Sequence, residues 1–529
     1  VRRVPKIIGC DVELGNFISG VESSSGSGQA ASRLLLRAID GIPAERTGAI
    51  HDAGRESAQD RGRRFLPDNG GCAYIDSDHL ELATPETLSA FDHVAYWQAM
   101  LRLARRAVHD VNARLPEGLQ AHALANCSDG HGHSYGAHVN VLVTREAWNA
   151  IVRRKPHYLA CLAAFQVSSI VFTGAGKVGS ENGRPPADFQ LSQRADFMET
   201  MLGEQTTYNR PLVNARDEAL CGPSGAREGL ARLHVIFFDA ALCQVATLLR
   251  TGTLQIVAAM LETGDVPSQL ALDDPLEALQ TWSRDPSLAA RARLVSGEAV
   301  TAVELQQRFL EQARDYEATR GFGGIVPRAG EILAFWADTL HKLGERDFDA
   351  LGRRIDWVLK RQILTRVLTT RPSLTWQSAE IRHLDQLYAS VDDTDGLFWA
   401  WASGGQLDEV VSEEEVARAL DEPPEDTRAW TRAHLLRRAG MTRVTRVDWD
   451  RVDVRLDTGR SGYAWTSTSV VHMPSPCGWS RGDTGRLFSP AATLEQIVEA
   501  LGAVETTAED DQSSETVSTV AAHRRRWTH

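Results

Sequence analysis

Residues 7–15 read Ile-Ile-Gly-Cys-Asp-Val-Glu-Leu-Gly, and their alternation restricts the fold more than any other stretch of the chain. Successive side chains of an extended backbone point to opposite faces, so Ile8, Cys10, Val12 and Leu14 need an apolar layer while Asp11 and Glu13 share the other face. Those two carboxylates stand roughly 6.5–7 Å apart at the backbone. Strand character returns over 71–83, GCAYIDSDHLELA, which adds Asp76, Asp78, His79 and Glu81. On a further strand, 137–143, His138 and Asn140 share one face and Val139 turns to the core. Helical periodicity dominates 157–173, 238–263, 300–319, 329–344 and 346–368, and Thr84-Pro85 reads as the N-cap and first residue of a helix running to about 114. Helices and separated strands mix without regular βαβα alternation, so the class is α+β and not a doubly wound sheet.

At 529 residues the chain exceeds one ordinary domain. The sequence divides into a large unit over 1–440 and a small C-terminal domain over 441–507, with strands at about 451–472 and a helix at 493–503. An acidic then basic tail, 508–529, is expected to be disordered. The Ser/Gly-rich start and arginine-rich end of 20–64, around one short helix near 30–39, predict a flexible loop that gates a site. Fifty-seven basic against seventy acidic side chains give a net charge of −13, which disfavours broad nucleic-acid binding. Seven cysteines without a CxxC pair fit a reducing interior. The N-terminus does not read as a signal peptide, and no run of about 18 apolar residues predicts a membrane span. The expected location is the cytoplasm.

Paired strand carboxylates suit a hard cation such as Mg²⁺ held partly by phosphates, although strand carboxylates also simply face water. His131, His133 and His138 could form a three-ligand zinc set, but two of them sit between glycines in a loop poorly suited to preorganisation. Gly174-Ala-Gly-Lys-Val-Gly179 matches GxGxxG, yet the following Ser180 to Pro186 breaks the helix that a dinucleotide turn must open. Arg194, Arg210 and Arg216 lie in turn-like segments where guanidinium forks would suit phosphate oxygens, or plain solvent.

In order, GCDVELG (9–15), YIDSDHLELATPE (74–86), DGHGHSYGAHVNVLV (129–143), FQLSQRADF (189–197), RPLVNARDE (210–218), RLHVIFFD (232–239), LRTGT (249–253) and PPEDTRAWTR (423–432) resemble the Pup ligase and Pup deamidase/depupylase family. The resemblance implies a glutamine-synthetase-like domain over 1–440, a curved antiparallel sheet forming a cradle for Mg·ATP and flanked by helices, with the small domain beside it. It implies Asp76 as the catalytic group, Asp11, Glu13 and Glu81 at the metal, and His138, Asn140, Arg194 and Arg216 around the nucleotide phosphates. The family has Glu at the positions of Asp11, Val139 and Gln244, so this member departs in its acidic set. The family's branches differ in the stretch before the catalytic aspartate, and here Asp76 follows Asp11 by 65 residues, an intermediate length. Trp282 to Leu288, Leu374-Thr-Trp376 and PPEDTRAWTR favour the deamidase branch. The expected activity is amide hydrolysis at a glutamine or glutamate side chain of a Pup-like protein or its conjugates. The alternatives are ATP-dependent amide ligation, on Pup or on another peptide or amino acid, and nucleotide binding without catalysis.

Overall fold

A computed structural model of the chain describes residues 2–22, 26–44, 59–221, 229–457, 466–502 and 504–506. The tail at 508–529 and parts of the expected loop, 23–25 and 45–58, lie outside the described residues. The leading strands are β1 (Ile8–Ser19), β2 (Ile42–Pro43), β3 (Gln59–Phe65), β4 (Cys72–Asp76), β5 (His79–Ala83), β6 (Gln120–Leu124), β7 (Ala137–Thr144), β8 (Arg210–Asn214) and β9 (Leu230–Val235). All but β8 form an eight-stranded sheet in the order β9-β7-β1-β5-β4-β3-β2, with β6 on the far half of β1. Every pairing in it is antiparallel.

The inner face of this sheet carries Val12, Leu14, Leu80, Leu82, Val139 and Val141, all fully buried. They join one continuous core with helices α1 (Ser27–Ala38), α2 (Ala90–Asn112), α3 (Pro156–Thr173), α4 (Gln244–Thr263), α5 (Ala302–Thr319) and α6 (Ala329–Glu345). Helix α3 is long and apolar enough to cross a membrane by length and composition, but 78% of that window is buried inside the fold. Helix α7 (Asp356–Thr370) and the short α8 (Leu397–Ala402) pack on the same body. Helix α9 (Arg428–Arg443) kinks at Gly440, φ 64°, and leads into a four-stranded antiparallel sheet of β10 (Val444–Asp448), β11 (Arg451–Asp457), β12 (Thr466–His472) and β13 (Val504–Thr506). A second core joins this small sheet to the large one, because Phe65, Cys72 and Tyr74 cluster with Leu435, Val452 and Ile497.

Five elements differ from the sequence expectation. The stretch 71–83 is a hairpin, not one strand: Ser77 and Asp78 take φ of 46° and 76°, the paired positive values of a two-residue type I′ turn. The long helix starts at Ala90 with Ser89 as its cap, because Thr84 is held in the sheet by the backbone of Cys10, whose N–H donates to the Thr84 hydroxyl at 2.9 Å. Residues 238–243 stay outside α4, and the helix expected over 346–368 is broken into Phe348–Leu351 and α7. The buried Asp356 carboxylate ties both breaks together by accepting the N–H of Leu242 at 2.9 Å. The region read as a loop over 20–64 contains α1, which buries Ala31, Leu35 and Leu36, and the sheet strands β2 and β3. Apolar residues spaced along one face of α1 give it a core role that the flanking Ser/Gly and Arg composition conceals.

Candidate active site

The open face of the large sheet lines a cleft of about 2470 Å³ whose opposite wall includes Arg446 and Trp449 from the small domain. Strand alternation supplies its floor. Asp11 and Glu13 rise from β1, and the register places Glu13 opposite Glu81, Glu81 opposite Tyr74, Asp11 opposite His138, and Asn140 opposite His234. Asp76 ends β4 directly before the turn, where the backbone leaves the sheet.

These groups form two clusters. Glu13, Asp76 and Glu81 offer carboxylate oxygens within 4.8 Å of one another. Glu81 is 2% exposed and among the described residues its Oε2 has no hydrogen-bond partner, an expensive state for a buried acceptor. Burial first, then the charges of Glu13, Asp11 and Asp76, push the Glu81 carboxyl well above the usual range. Burial and Glu13 also raise that of Asp76. Ser77 donates to Asp76 Oδ1 at 2.7 Å, and among the described residues Oδ2 accepts no hydrogen bond. Three converging carboxylates with an orphaned oxygen fit a hard divalent cation.

The second cluster is Asp11, His138 and His234. Here the partners are satisfied. His138 Nδ1 lies 3.0 Å from Asp11 Oδ2, and Asn140 donates to Asp11 Oδ1. Asn140 Oδ1 in turn accepts from Arg232 at 2.9 Å and meets His234 Nδ1 at 2.7 Å. Burial would raise the Asp11 carboxyl, but the hydrogen bond and charge of His138, with His234 and Arg232, hold it well below the usual range. Burial and Arg232 push His234 far below its ordinary value, so the imidazole is neutral; with Nδ1 on Asn140, Nε2 keeps its lone pair. Gly136 leaves the His138 ring room, since a Cβ there would come within 2.2 Å of His138 Nε2.

The sequence candidates thus divide. Asp11, Glu13, Asp76, Glu81, His138, Asn140 and Arg216 all line the cleft. Arg194 does not: it is 1% exposed and its guanidinium donates to the Tyr135 carbonyl beneath the wall. Arg210 on β8 stands in the wall instead, held by the carbonyls of Thr206 at 2.8 Å and Ser134 at 2.5 Å. Burial and Arg194 lower its pKa to about 10. Val139 is fully buried, and Gln244 accepts from the N–H groups of Val410 and Val411, so neither departure removes a group from the cleft. The exposed His133 pairs with Asp129, and the described residues group His138 with Asp11 and His234 and not with a zinc set. The GxGxxG segment opens no helix; its Lys177 is buried against Asp196 at 2.8 Å and Glu181 at 3.1 Å.

Sequence reasoning missed His234, Arg232, Tyr74 and Trp449. His234 and Arg232 alternate with the buried Leu233 and Val235, a period-two signal present in the sequence. Tyr74 lies two residues before Asp76 on the same face, with Glu81 beside its hydroxyl and Arg63 4.3 Å from its ring centroid. No local pattern marks Trp449, which only the packing of the small domain brings to the cleft.

A family model described as Pup-ligase protein matches residues 7–453. A depupylase of Acidothermus cellulolyticus is 36% identical over 437 residues, 82% of each chain. A Pup deamidase/depupylase of Mycolicibacterium smegmatis is 34% identical over 436 residues, again 82% of each. A Pup–protein ligase of Acidimicrobium ferrooxidans is 33% identical over 394 residues, 74% of this chain and 83% of that one. The crystal structure of Pup in complex with its ligase PafA matches with a TM-score of 0.74 at 23% identity, over 99% of both chains, which shows the same fold.

Proposed function

The chain belongs to the Pup-ligase protein family, and from that premise we propose that it is a Pup deamidase/depupylase that requires ATP and Mg²⁺. Its substrate would be a Pup-like protein bearing a side-chain amide, either a terminal glutamine or the isopeptide of a conjugate. The observation that carries the reading is the Glu13, Asp76 and Glu81 cluster, with its orphaned Glu81 oxygen, at the end of a cleft lined by arginines.

Glu13 and Glu81, with Asp11 and His138 beside them, would hold Mg²⁺. Arg210, Arg216 and Asn140 would face nucleotide phosphates, and Trp449 would offer a flat surface to the base. Mg²⁺, when bound there, would supply the positive charge that polarises the amide carbonyl. Asp76 does the chemistry through the Oδ2 that Ser77 leaves free: its carboxylate takes the proton of an attacking water and passes it to the leaving nitrogen, or it attacks the carbonyl itself to give an anhydride that water then hydrolyses. Its raised pKa makes it a stronger base than an ordinary aspartate while leaving it ionised above its titration. The nitrogen leaves with a proton as ammonia or as the lysine amine of the target. The free thiols of all seven cysteines support a reducing, cytoplasmic setting.

Ligation is the second reading, favoured by the 33% identity to a Pup–protein ligase. There Asp76 would take the proton of the incoming lysine. Incubation with ATP, Mg²⁺, glutamine-terminated Pup and a Pup–protein conjugate, followed by mass spectrometry, separates the readings. Conversion of the terminal glutamine to glutamate and release of free target support hydrolysis. New conjugates formed with stoichiometric ATP consumption would replace it by ligation.

A further inference from the structure

We infer that the groove between the helix Phe348–Leu351, α7 and α8 is a docking site for an acidic polypeptide segment that carries apolar side chains. The groove has a volume of about 600 Å³ and shares no lining residue with the catalytic cleft. Its apolar surface comes from the half-buried Phe348, which packs at 6.0 Å on the fully buried Trp357 beneath it, and from Trp401 of α8, which forms a half-buried wall. Its rim is cationic. Arg361 and Arg366 of α7 line it, and Arg366 lies 5.4 Å from the centre of the Trp401 ring.

Neither arginine has a carboxylate partner among the described residues, whereas the neighbouring Arg353 is paired with Asp408 at 2.9 Å and the buried Lys360 with Asp385 at 2.8 Å. The dipole at a helix C-terminus explains Arg371, which caps α7, but not Arg366, which lies before the last turn. Arg361 stands in the second turn, where the dipole offers it nothing. Among the described residues Asp349 is the one carboxylate lining the groove. In a chain of net charge −13, an acidic partner is repelled by the molecule as a whole, so an uncompensated cationic rim over an apolar floor is where such a partner can land. Phe348 and Trp401 reward a partner that brings apolar side chains to the groove.

The test uses the full chain and a fluorescein-labelled synthetic peptide of glutamate and leucine, followed by fluorescence anisotropy, with single-stranded DNA as the polyanion control. Arg361→Glu combined with Arg366→Glu should weaken peptide binding roughly ten-fold, and Trp401→Ala should weaken it several-fold. Asp76→Asn should leave it unchanged, which separates this groove from the cleft. Added salt should weaken binding by the wild type and have little further effect on the double variant. Equal binding by the double variant would overturn the proposal. So would DNA binding as tight as the peptide's together with indifference to Trp401→Ala, which would reveal a plain polyanion surface.

Discussion

The two carboxylate clusters on the open face of the sheet share one strand and one register, yet they are in opposite electrostatic states. Asp11 is surrounded by donors and its carboxyl is pulled down; Glu81 is surrounded by acids and its carboxyl is pushed up. Two residues along β1 separate a satisfied site from an unsatisfied one. The difference teaches that an acidic strand face is not a functional unit in itself. What the neighbouring strands bring decides the state: β7 and β9 bring imidazoles, an amide and an arginine, whereas β4 and β5 bring further carboxylates.

The sharpest way to break this comparison is to neutralise one member of each cluster. Glu81→Gln should weaken Mg²⁺-dependent nucleotide binding by about 10–100-fold and leave binding in EDTA nearly unchanged, measured by calorimetry. Equal weakening in EDTA would mean that Glu81 acts through folding. Asp11→Asn acts on a built network, leaving His138 without its acceptor, and should cost about 1–3 kcal/mol of stability in denaturant unfolding even without metal. Glu81→Gln should not destabilise the metal-free protein, because it relieves a carboxyl crowded by burial and neighbouring acids while Oε1 can still meet the Tyr74 hydroxyl.

The clusters should also differ in the sign of their pH dependence. The folded pKa of Glu81 is raised, so its contribution to stability is present below its ordinary value near 4.5 and is lost as pH rises through the folded value. The folded pKa of Asp11 is lowered, so its contribution is present above about 3.8 and is lost as pH falls. In EDTA, the stability of Glu81→Gln should therefore rise more steeply above pH 4.5 than that of the wild type, because the opposing slope is gone, and Mg²⁺ should raise wild-type stability at neutral pH. The smallest effect concerns Arg194. Arg194→Lys should disturb folding more than nucleotide affinity, because its guanidinium holds the Tyr135 carbonyl beneath the cleft wall.

The sequence made one side of each strand legible and its partners much less so. Alternation over 7–15 puts Asp11 and Glu13 on one face, and the same rule holds for His138 and Asn140 with Val139 buried behind them. Which carboxylate faces which imidazole depends on register, and register is set by pairings between distant segments. The turn at Ser77 and Asp78 lacks the glycine that usually marks paired positive φ values, so one strand was expected where a hairpin stands. Thr84-Pro85 carries the local signature of a helix start, and the bond from Cys10 on the interior strand β1 overrides it. Arg194 shows the limit from the other side: its type suits a phosphate, but only the packing of the chain reveals that it is buried.

The central claim is that Asp76 performs chemistry in a cluster whose other carboxylates hold the cation. Its most direct test is Asp76→Asn, assayed for cleavage of a glutamine-terminated Pup and, on the same preparation, for Mg·ATP affinity. The expected result is loss of turnover with affinity preserved within a few-fold. Undiminished cleavage by the variant would contradict the claim.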